Sequence, residues 1–346
     1  MIDKMIDLLR TALRRIRIDK IISQSGKWGS LWNYKHGFLQ STIDVCGINK
    51  NNYKQFISDR EYWYGHPYNG SYTTIIDNKL WLPLLLKDYL EHCPKYYFFK
   101  DKSGFIDLTI NKRTSIDNVL CLIEAEKIVA LKHTHSSLGK GFYKVSTRDD
   151  GDYLLNDDIL NKEQFQSFLE SLDCYLFTEY VIQHRYSQEI APKSLNTLRL
   201  LTVWDYDKKS FFVARAFHRF GANGSTVDNL AAGNGVLVYI DKNTGITTGE
   251  GVVKTFNKDN SYTKNVVHPN VNVDLSNLVI PNFSEIMNKI IDIANSHSYL
   301  RYIGWDFAIT DDGFKVIETN SLTTLSTIQQ STGFLEDNRI CKLFKK

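Results

Sequence analysis

Hydrophobic and polar positions alternate most clearly near the C-terminal end of this chain. β-Branched and aromatic residues dominate Ile303 to Ile309 and Phe314 to Asn320, and Asp311, Asp312 and Gly313 separate the two runs. The pattern predicts two strands joined by a three-residue hairpin loop, with the glycine in the left-handed position.

Two acidic side chains of this hairpin are predicted to face each other. If Thr310 pairs with Phe314, Asp306 lies opposite Glu318, and Asn320 follows on the same face. Like charges placed directly opposite destabilise a sheet unless a cation offsets them, and carboxylate and amide oxygens are ligands that magnesium accepts. The residues therefore predict a magnesium site, and the alternative is a hairpin edge whose acids are merely solvated.

A second pattern predicts strands at Ile128 to Lys132 and Phe142 to Val145, joined through a loop of small residues at 136–141. Glycines let backbone amides approach an anion, serine hydroxyls donate, and Lys132 places a point charge on phosphate. The loop residues concerned are Ser136, Ser137, Gly139 and Gly141. The alternative is an ordinary turn, since the loop matches neither the Walker pattern nor the dinucleotide fingerprint. His133 and His135 have no third ligand nearby, so we expect no zinc site there.

Glu179 is an acid within an otherwise apolar run, Tyr175 to Ile182, that predicts a strand. One interpretation is a strand that links two lobes, where the backbone of Tyr180 and Val181 reads an adenine edge and Glu179 holds a ribose hydroxyl or a lysine. The alternative is an edge-strand glutamate that faces water.

Arginines interrupt the next strands. Arg199 lies in the strand-like run LNTLRLLTVWD beside Asn196, and its planar donor fork suits phosphate oxygens. The following run carries Arg215 and Arg219 before a glycine-rich loop with Asp228 and Asn229, which predicts room for a ligand.

The N-terminal part of the chain predicts an amphipathic helix over residues 1–20. Its apolar positions are Ile2, Met5, Ile6, Leu9, Leu13 and Ile16, and its basic positions are Arg10, Arg14, Arg15, Arg17 and Lys20. Such a helix either docks on the protein's own core or is attracted to anionic lipid. The aromatic segment 28–72 is either substrate-facing or a covering layer. A further helix is predicted from Leu80 to Leu90, with Lys79 at its start.

Composition narrows the classes of protein. The chain has 346 residues, 42% of them hydrophobic, and a formal net charge of +3. Because the basic residues are not concentrated in one domain, the charge excludes a general nucleic-acid signature. Five scattered cysteines without a CxxC pair favour a reducing cytoplasm over a disulfide framework. No run reaches the roughly 18 to 20 apolar residues that span a bilayer, and no signal peptide is predicted.

The order of these parts resembles the ATP-grasp superfamily. The stretches SLGKGFYKV, TEYVIQH, SLNTLRLLTV, VDNLAAGNG and GWDFAITDDGFKVIETNS are similar to the sugar-transfer-associated ATP-grasp group found beside bacterial polysaccharide biosynthesis enzymes. The resemblance covers roughly residues 75–325 and departs from the common form at His133, where a proline is usual. It implies an α+β fold in which two α+β lobes grip ATP, preceded by a helical, loop-rich extension.

The resemblance implies four segments and a set of site residues. The segments are the N-terminal extension 1–74, the first part of the core 75–118, the small lobe with the nucleotide lid 119–182, and the C-terminal lobe with the metal site 183–346. Lys79 and Lys132 would hold the phosphates of ATP under the 136–141 lid, and Glu179, Tyr180 and Val181 would read adenosine. Arg199 would steady the transferring phosphoryl group, and Asp306, Glu318 and Asn320 would bind one or two magnesium ions.

The implied reaction is ATP-dependent ligation of a carboxylate to an amine through an acyl phosphate, for example an amino acid to a uronic acid of a capsule or O-antigen precursor. Lys132 and Arg199 would be its catalytic residues, and His184 and Asp228 are candidate helpers for deprotonating the amine. The alternatives are a sugar kinase on the same fold and an ATP-binding partner of a glycan-assembly complex. We expect a cytoplasmic protein, with peripheral membrane contact and glycosyltransferase partners as open possibilities.

Overall fold

Two antiparallel β-sheets divide the chain into two lobes, seen in a computed structural model that describes residues 2–136, 139–229, 235–254, 262–330 and 332–344. The first sheet has eight strands in the order β3-β2-β1-β8-β4-β5-β6-β7 and defines the small lobe. Its strands are β1 (Tyr96–Asp101), β2 (Gly104–Asp107), β3 (Lys112–Thr114), β4 (Ile128–His133), β5 (Phe142–Thr147), β6 (Tyr153–Leu155), β7 (Asp158–Leu160) and β8 (Tyr175–Glu179).

The second sheet has seven strands in the order β13-β12-β11-β10-β9-β14-β15 and defines the large lobe. Its strands are β9 (Leu198–Asp205), β10 (Ser210–Gly221), β11 (Gly235–Asp241), β12 (Ile246–Lys254), β13 (Tyr262–Lys264), β14 (Tyr302–Thr310) and β15 (Gly313–Asn320). Because helices cover antiparallel sheets in both lobes, the predicted α+β class is confirmed.

The described helices are mostly short. They are α1 (Ile2–Ser25), α2 (Leu31–His36), α3 (Gln40–Cys46), α4 (Asp59–Gly65), α5 (Thr73–Asp77), α6 (Leu82–Leu85), α7 (Ile116–Glu126), α8 (Lys162–Ser171), α9 (Arg185–Gln188), α10 (Phe283–Asn295), α11 (Leu325–Ile328) and α12 (Asn338–Phe344). Single turns of 3₁₀ helix lie at Tyr53–Gln55, Gly70–Tyr72, Lys79–Trp81, Leu90–His92 and Phe334–Glu336.

Each sheet buries an apolar face against helices. The small lobe packs α7 and α8 on its sheet, with Val119, Ile123, Phe165 and Leu169 all fully buried. The large sheet is covered on both faces. Helix α10 packs on one of them, and α4, α11 and α12 lie on the other. Strands β9 and β14, which lie side by side inside this sheet, are therefore buried almost along their whole length.

The hairpin of β14 and β15 is present, but its register differs from the predicted one. Thr310 pairs with Gly313 rather than with Phe314, so the loop has two residues, Asp311 and Asp312, instead of three. A β-bulge between Phe307 and Asp306 then shifts the pairing by one residue. Because the loop difference and the bulge compensate, Asp306 still lies opposite Glu318, as predicted.

Two other predicted elements are shorter than expected. The helix predicted from Leu80 to Leu90 is wrong, because the α-helix is a single turn, Leu82–Leu85, with Pro83 as its second residue. Strand β8 ends at Glu179, so Tyr180 and Val181 follow the strand rather than belong to it. β8 pairs with β1 and β4 on its two sides, so Glu179 is not on an edge strand.

The N-terminal segment folds as a layer of helices on the large lobe. Tyr62 of α4 is buried and its hydroxyl hydrogen-bonds that of Tyr302 on β14 at 2.7 Å, and the side chain of Gln329 bonds the backbone of Ile57. The aromatic segment 28–72 is therefore a covering layer in this structure. No helix in the described part of the chain combines the length and apolar character needed to cross a bilayer.

Candidate active site

The hairpin of β14 and β15 places three predicted site residues on one face, and two of them lie in a cleft between the lobes. Asp306 and Glu318 line this cleft, and Asn320 lies opposite Gly304, the residue two positions before Asp306. A Cβ atom at Gly304 would come within 3.5 Å of Asn320 Cβ and of Arg199 Cδ. The missing side chain at this position therefore lets the arginine and the amide share one face with the acids.

Asp306 is buried, with 1% of its side chain exposed, and is held by two arginines. Arg199 donates through Nε and Nη2 to both carboxylate oxygens, and Arg219 Nη2 donates to Oδ2 at 2.8 Å. Burial alone would raise the pKa of Asp306, but the charges of Arg199 and Arg219 outweigh it and hold this pKa well below its ordinary value. Asp306 is thus a carboxylate at neutral pH and the centre of a buried ion-pair group.

Arg219 and Asp228 belong to the same group, although Asp228 was predicted only as a helper for the amine and Arg219 was given no role in the site. Arg219 lines the cleft, and its Nε lies 3.5 Å from Asp228 Oδ2. Thr197 donates to Asp228 through its backbone nitrogen at 2.7 Å and through its hydroxyl. Burial raises the pKa of Asp228, against the lowering effect of Arg219 and Thr197. Arg219 could have been found from the sequence, because it interrupts a strand of mostly buried residues as Arg199 does.

The other arginine of that strand has a different task. Arg215 donates to the backbone oxygens of Ile328 and Thr332 and lies over the ring of Phe334. Arg199 also differs from the prediction in its surroundings, since its guanidinium is directed to Asp306 and Arg219 is the arginine that lines the cleft.

The two predicted lysines come together on the opposite wall of the cleft. Lys79 lies 3.0 Å from Glu318 Oε2 and donates to the backbone oxygen of Ser136 at 2.8 Å. Lys132 is the residue of β4 that points into the same space. Burial and the nearby charge of Lys79 lower the pKa of Lys132 to about 8. A lysine in that state gains most from an anionic partner, which phosphate groups would supply.

The glycine loop lies over this space. Ser136 and Gly139 line the cleft, whereas Gly141 lies beside Tyr175, and Ser137 is outside the described residues. Gly139 has φ +72°, and a Cβ there would stand 2.4 Å from Val227 of the large lobe. The loop therefore reaches across to the opposite lobe, and glycine is required for the approach.

The residues predicted to read adenosine lie at the junction of the lobes. Glu179 accepts from the backbone nitrogen of Lys95 at 2.9 Å and lies 3.9 Å from Lys315 of β15. Tyr180 stacks under Lys144, and Val181 is buried. These side chains do not line the cleft in the described structure, so the structure places them beside the site and leaves their role a prediction.

His133, His135 and His184 do not line the cleft in the described structure. His184 caps α9 by accepting from the backbone nitrogen of Tyr186, and its backbone bonds Ile309. His133 and His135 have ring centroids 6.3 Å apart. Within the described ranges, no three His, Cys, Asp or Glu side chains group as a metal site, and the hairpin offers two carboxylates and one amide.

The charges of the cleft suit a polyanion with a divalent ion. Among the described residues, four cationic and three acidic side chains line the cleft, namely Lys79, Lys132, Lys140 and Arg219, and Asp228, Asp306 and Glu318. This surplus of positive charge fits the phosphates of ATP.

The same residues can also be examined as ligands of magnesium. A carboxylate offers about four lone-pair directions, and the described donors to Asp306 number three, so it has capacity for one more partner. The side-chain nitrogen of Asn320 is buried and has no hydrogen-bond partner among the described residues. An ion with its water shell would give this amide a partner, so the donor set fits magnesium, shared with the arginines.

Comparison with known proteins identifies the family. The model of the family described as sugar-transfer associated ATP-grasp matches residues 59–342. This chain therefore belongs to the sugar-transfer associated ATP-grasp family, which confirms the resemblance inferred from its motifs. None of the proteins with curated descriptions matches it.

Several solved structures are similar at low identity. They include D-alanine–D-alanine ligase from Bacillus anthracis (12% identity, TM-score 0.39, 78% of this chain and 66% of that one) and D-alanyl-alanine synthetase A from Vibrio cholerae (13%, 0.44, 81% and 68%). Another is N5-carboxyaminoimidazole synthase from Aspergillus clavatus, in complex with ADP and 5-aminoimidazole ribonucleotide (9%, 0.42, 82% and 53%). The chain spans about half to two thirds of the length of these structures.

Proposed function

We propose that this protein is an ATP-dependent carboxylate–amine ligase that forms an amide on a bacterial surface polysaccharide or its precursor. The observation that carries the proposal is the facing arrangement of Lys79 and Lys132 against Asp306 and Glu318 in one cleft. Membership of the sugar-transfer associated ATP-grasp family supports both the nucleotide and the association with sugars. As the pair of substrates that is joined, we favour a uronic acid and an amino acid.

The reaction would take place in two balanced steps. A carboxylate oxygen of the acceptor attacks the terminal phosphorus of ATP, the bond to the bridging oxygen breaks, and an acyl phosphate and ADP result. The amine then attacks the acyl carbon, the carbon–oxygen bond to phosphate breaks, and inorganic phosphate leaves as the amine loses a proton. No covalent intermediate on the protein is needed, so its residues act by binding and by charge.

Each lobe has a defined part in this scheme. Lys79 and Lys132 bind phosphate oxygens, and the lid that contains Gly139 excludes water that would hydrolyse the acyl phosphate. Asp306, Glu318 and Asn320 would hold magnesium, and the bound ion would neutralise phosphate charge. Arg199 and Arg219 fix Asp306 as an ionised ligand.

Of the candidate helpers for the amine, Asp228 lines the cleft and His184 does not. Asp228 is engaged by Thr197 and Arg219, so we assign it a positioning role on Arg219 and expect desolvation of the amine to supply its free base.

The test is product analysis of the purified protein with ATP and magnesium. Phosphate and ADP should appear only when a carboxylate and an amine are both supplied, and added hydroxylamine should trap the activated acid as a hydroxamate. Glu318→Gln, which keeps shape and removes the charge, should abolish this turnover.

Three outcomes would replace the proposal. A stable phosphorylated sugar formed without an amine would identify a sugar kinase on this fold. AMP as the nucleotide product would exclude the acyl phosphate route. ATP binding without turnover on a broad panel of acids and amines, together with an unaffected glycan in cells that carry Glu318→Gln, would favour a non-catalytic partner of a glycan-assembly complex.

A further inference from the structure

Helix α1 has two apolar faces, and among its described side chains only those of one face pack on the protein. Ile18 and Ile22 are 8% and 0% exposed and contact a small apolar cluster with Leu39. Leu13 and Ile16 are 65% and 66% exposed. Leu13 and Ile22 are nine residues apart, and a helix turns about 100° per residue, so the exposed pair faces roughly opposite to the packed pair.

The exposed face is the one that the sequence pattern predicts as apolar. Ile2, Met5, Ile6 and Leu9 continue the spacing of Leu13 and Ile16 toward the N-terminus. Every residue from Thr11 to Arg17 is exposed, although the side chain of Arg14 reaches the backbone oxygen of Tyr64. The helix docks on the protein's own core, as one of the two alternatives expected, but at the described side chains it does so through Ile18 and Ile22 and not through the apolar face that the pattern predicts.

Positive charge is concentrated around that face. From Ile2 to His36, the part of the chain that holds α1 and α2, there are eight lysines and arginines and three acids, Asp3, Asp7 and Asp19. Arg60 pairs with Asp19 at 2.8 Å. Arg15, Arg17, Lys20, Lys27 and Lys35 are all exposed, and no ion pair forms at any of them within the described part of the chain. The chain as a whole has a net charge of only +3, so this segment is a local basic surface.

Helix α2 lies beside α1 and adds another exposed apolar side chain. The hydroxyl of Tyr34 reaches Asp19 of α1 at 3.3 Å, and Leu31, one turn earlier on α2, is 88% exposed. Exposed apolar side chains flanked by lysine and arginine are typical of helices that lie in the headgroup region of a membrane.

We propose that α1 and α2 form a docking surface for an anionic lipid membrane, with Leu13, Ile16 and Leu31 entering the headgroup region and the basic side chains facing lipid phosphates. Charge complementarity decides the occupant, because a second copy of this chain would bring the same positive charges together. The proposal goes beyond the ligase activity and does not depend on it.

The surface is connected to the cleft by rigid contacts. Trp63 and Tyr64 of α4 pack against the buried face of α1, and Arg14 donates to the backbone oxygen of Tyr64 at 2.8 Å. Tyr62 of the same helix bonds Tyr302, which lies on the strand of Asp306. Docking of α1 would therefore also orient the cleft relative to the membrane.

The experiment is flotation of the full chain with vesicles of phosphatidylcholine, with and without phosphatidylglycerol. We expect binding only to the anionic vesicles, and its loss at high salt. Each cation near such a surface contributes about fivefold in binding, so replacing Arg15, Arg17 and Lys20 by glutamine should weaken binding roughly a hundredfold. A matched control replaces three exposed lysines elsewhere, Lys112, Lys162 and Lys208, and should change binding little.

A second pair of variants tests the apolar part. Leu13→Ser with Ile16→Ser should weaken binding to anionic vesicles at least tenfold, whereas Ile110→Ser with Ile159→Ser, at 61% and 54% exposure, should not. Circular dichroism and thermal unfolding must show that all variants remain folded. Absence of binding to anionic vesicles would overturn the proposal. Binding that is insensitive to the Leu13 and Ile16 changes would also overturn it, because this result indicates a soluble polyanion as the partner. Self-association that these changes abolish would overturn it too, because this result indicates a second copy of the chain.

Discussion

Asp306 and Glu318 face each other on one hairpin, yet the structure predicts very different consequences when each is neutralised. Asp306 has 1% of its side chain exposed and satisfies Arg199 and Arg219, which are also buried. Glu318 has 28% of its side chain exposed and makes one ion pair within the described part of the chain, with Lys79 at 3.0 Å. We therefore expect Asp306→Asn to damage the fold itself and Glu318→Gln to damage only ligand binding and turnover.

The magnitudes follow from burial. Removing one partner of a buried ion pair leaves an uncompensated charge and costs about 3–5 kcal/mol. Arg219 keeps Asp228 at 3.5 Å, so we expect the lower end, about 3 kcal/mol, or more than a hundredfold in the ratio of folded to unfolded protein. The ion pair of Glu318 is partly exposed, and its loss should cost about 0–1 kcal/mol.

The assay is denaturant unfolding without nucleotide, followed by tryptophan fluorescence. Trp305 is fully buried next to Asp306 and reports on this part of the large sheet. Asp207→Asn is the matched control, because it removes an exposed ion pair with Lys342 and should change the free energy of unfolding by less than about 1 kcal/mol. If Asp306→Asn is within about 1 kcal/mol of the wild type, or if Glu318→Gln is equally destabilising, the reasoning from burial is refuted.

The same interaction predicts a pH dependence. The arginines depress the pKa of Asp306 in the folded state, so its contribution is fully present above the ordinary aspartate pKa of about 4. It is lost as the pH falls toward the lowered folded value. The difference in unfolding free energy between wild type and Asp306→Asn should therefore be constant near neutral pH and shrink below about pH 4.

Other predictions concern the cations and the lid. Since Lys132 has a pKa of about 8, the Kd for ATP from equilibrium binding should rise as the pH increases through this value, and Lys132→Arg should flatten the profile. Gly139→Ala places a Cβ atom against the opposite lobe at φ +72° and should raise the KM for ATP about tenfold. Gly224→Ala, at φ +77° but with open space around it, should not raise this KM. Arg219→Lys should lower kcat at least tenfold in steady-state assays, because the guanidinium that two carboxylates share is lost. An equal decrease of kcat in Arg215→Lys would contradict an effect at the cleft.

The hairpin illustrates what could be predicted and what could not. Strand propensity and the turn residues located β14 and β15 to within one residue of their observed ends. The two-residue loop and the bulge were not predictable, because a bulge is set by packing against β9 and the helices that cover the sheet. Asp306 and Glu318 still face each other because the two departures compensate.

The ion-pair partners of the arginines show more directly what the sequence could not predict. Arg199 was predicted to act on phosphate, and the structure directs it to Asp306 while Arg219 lines the cleft. Sequence order does not reveal this exchange, since Asp306 is 107 residues from Arg199 and 87 from Arg219. The face of α1 is a similar case, because periodicity identified an apolar side but could not say which side packs on the body.

By itself, the amino-acid sequence determined the α+β class, the family, the strands of the hairpin and the chemical types of the site residues, because these depend on local propensity and on short motifs. Only the tertiary structure decided which arginine faces the cleft, how Asp306 is held ionised, and which face of α1 remains exposed. These features depend on pairing between distant strands and on burial, and burial is a property of the packed chain rather than of any segment of it.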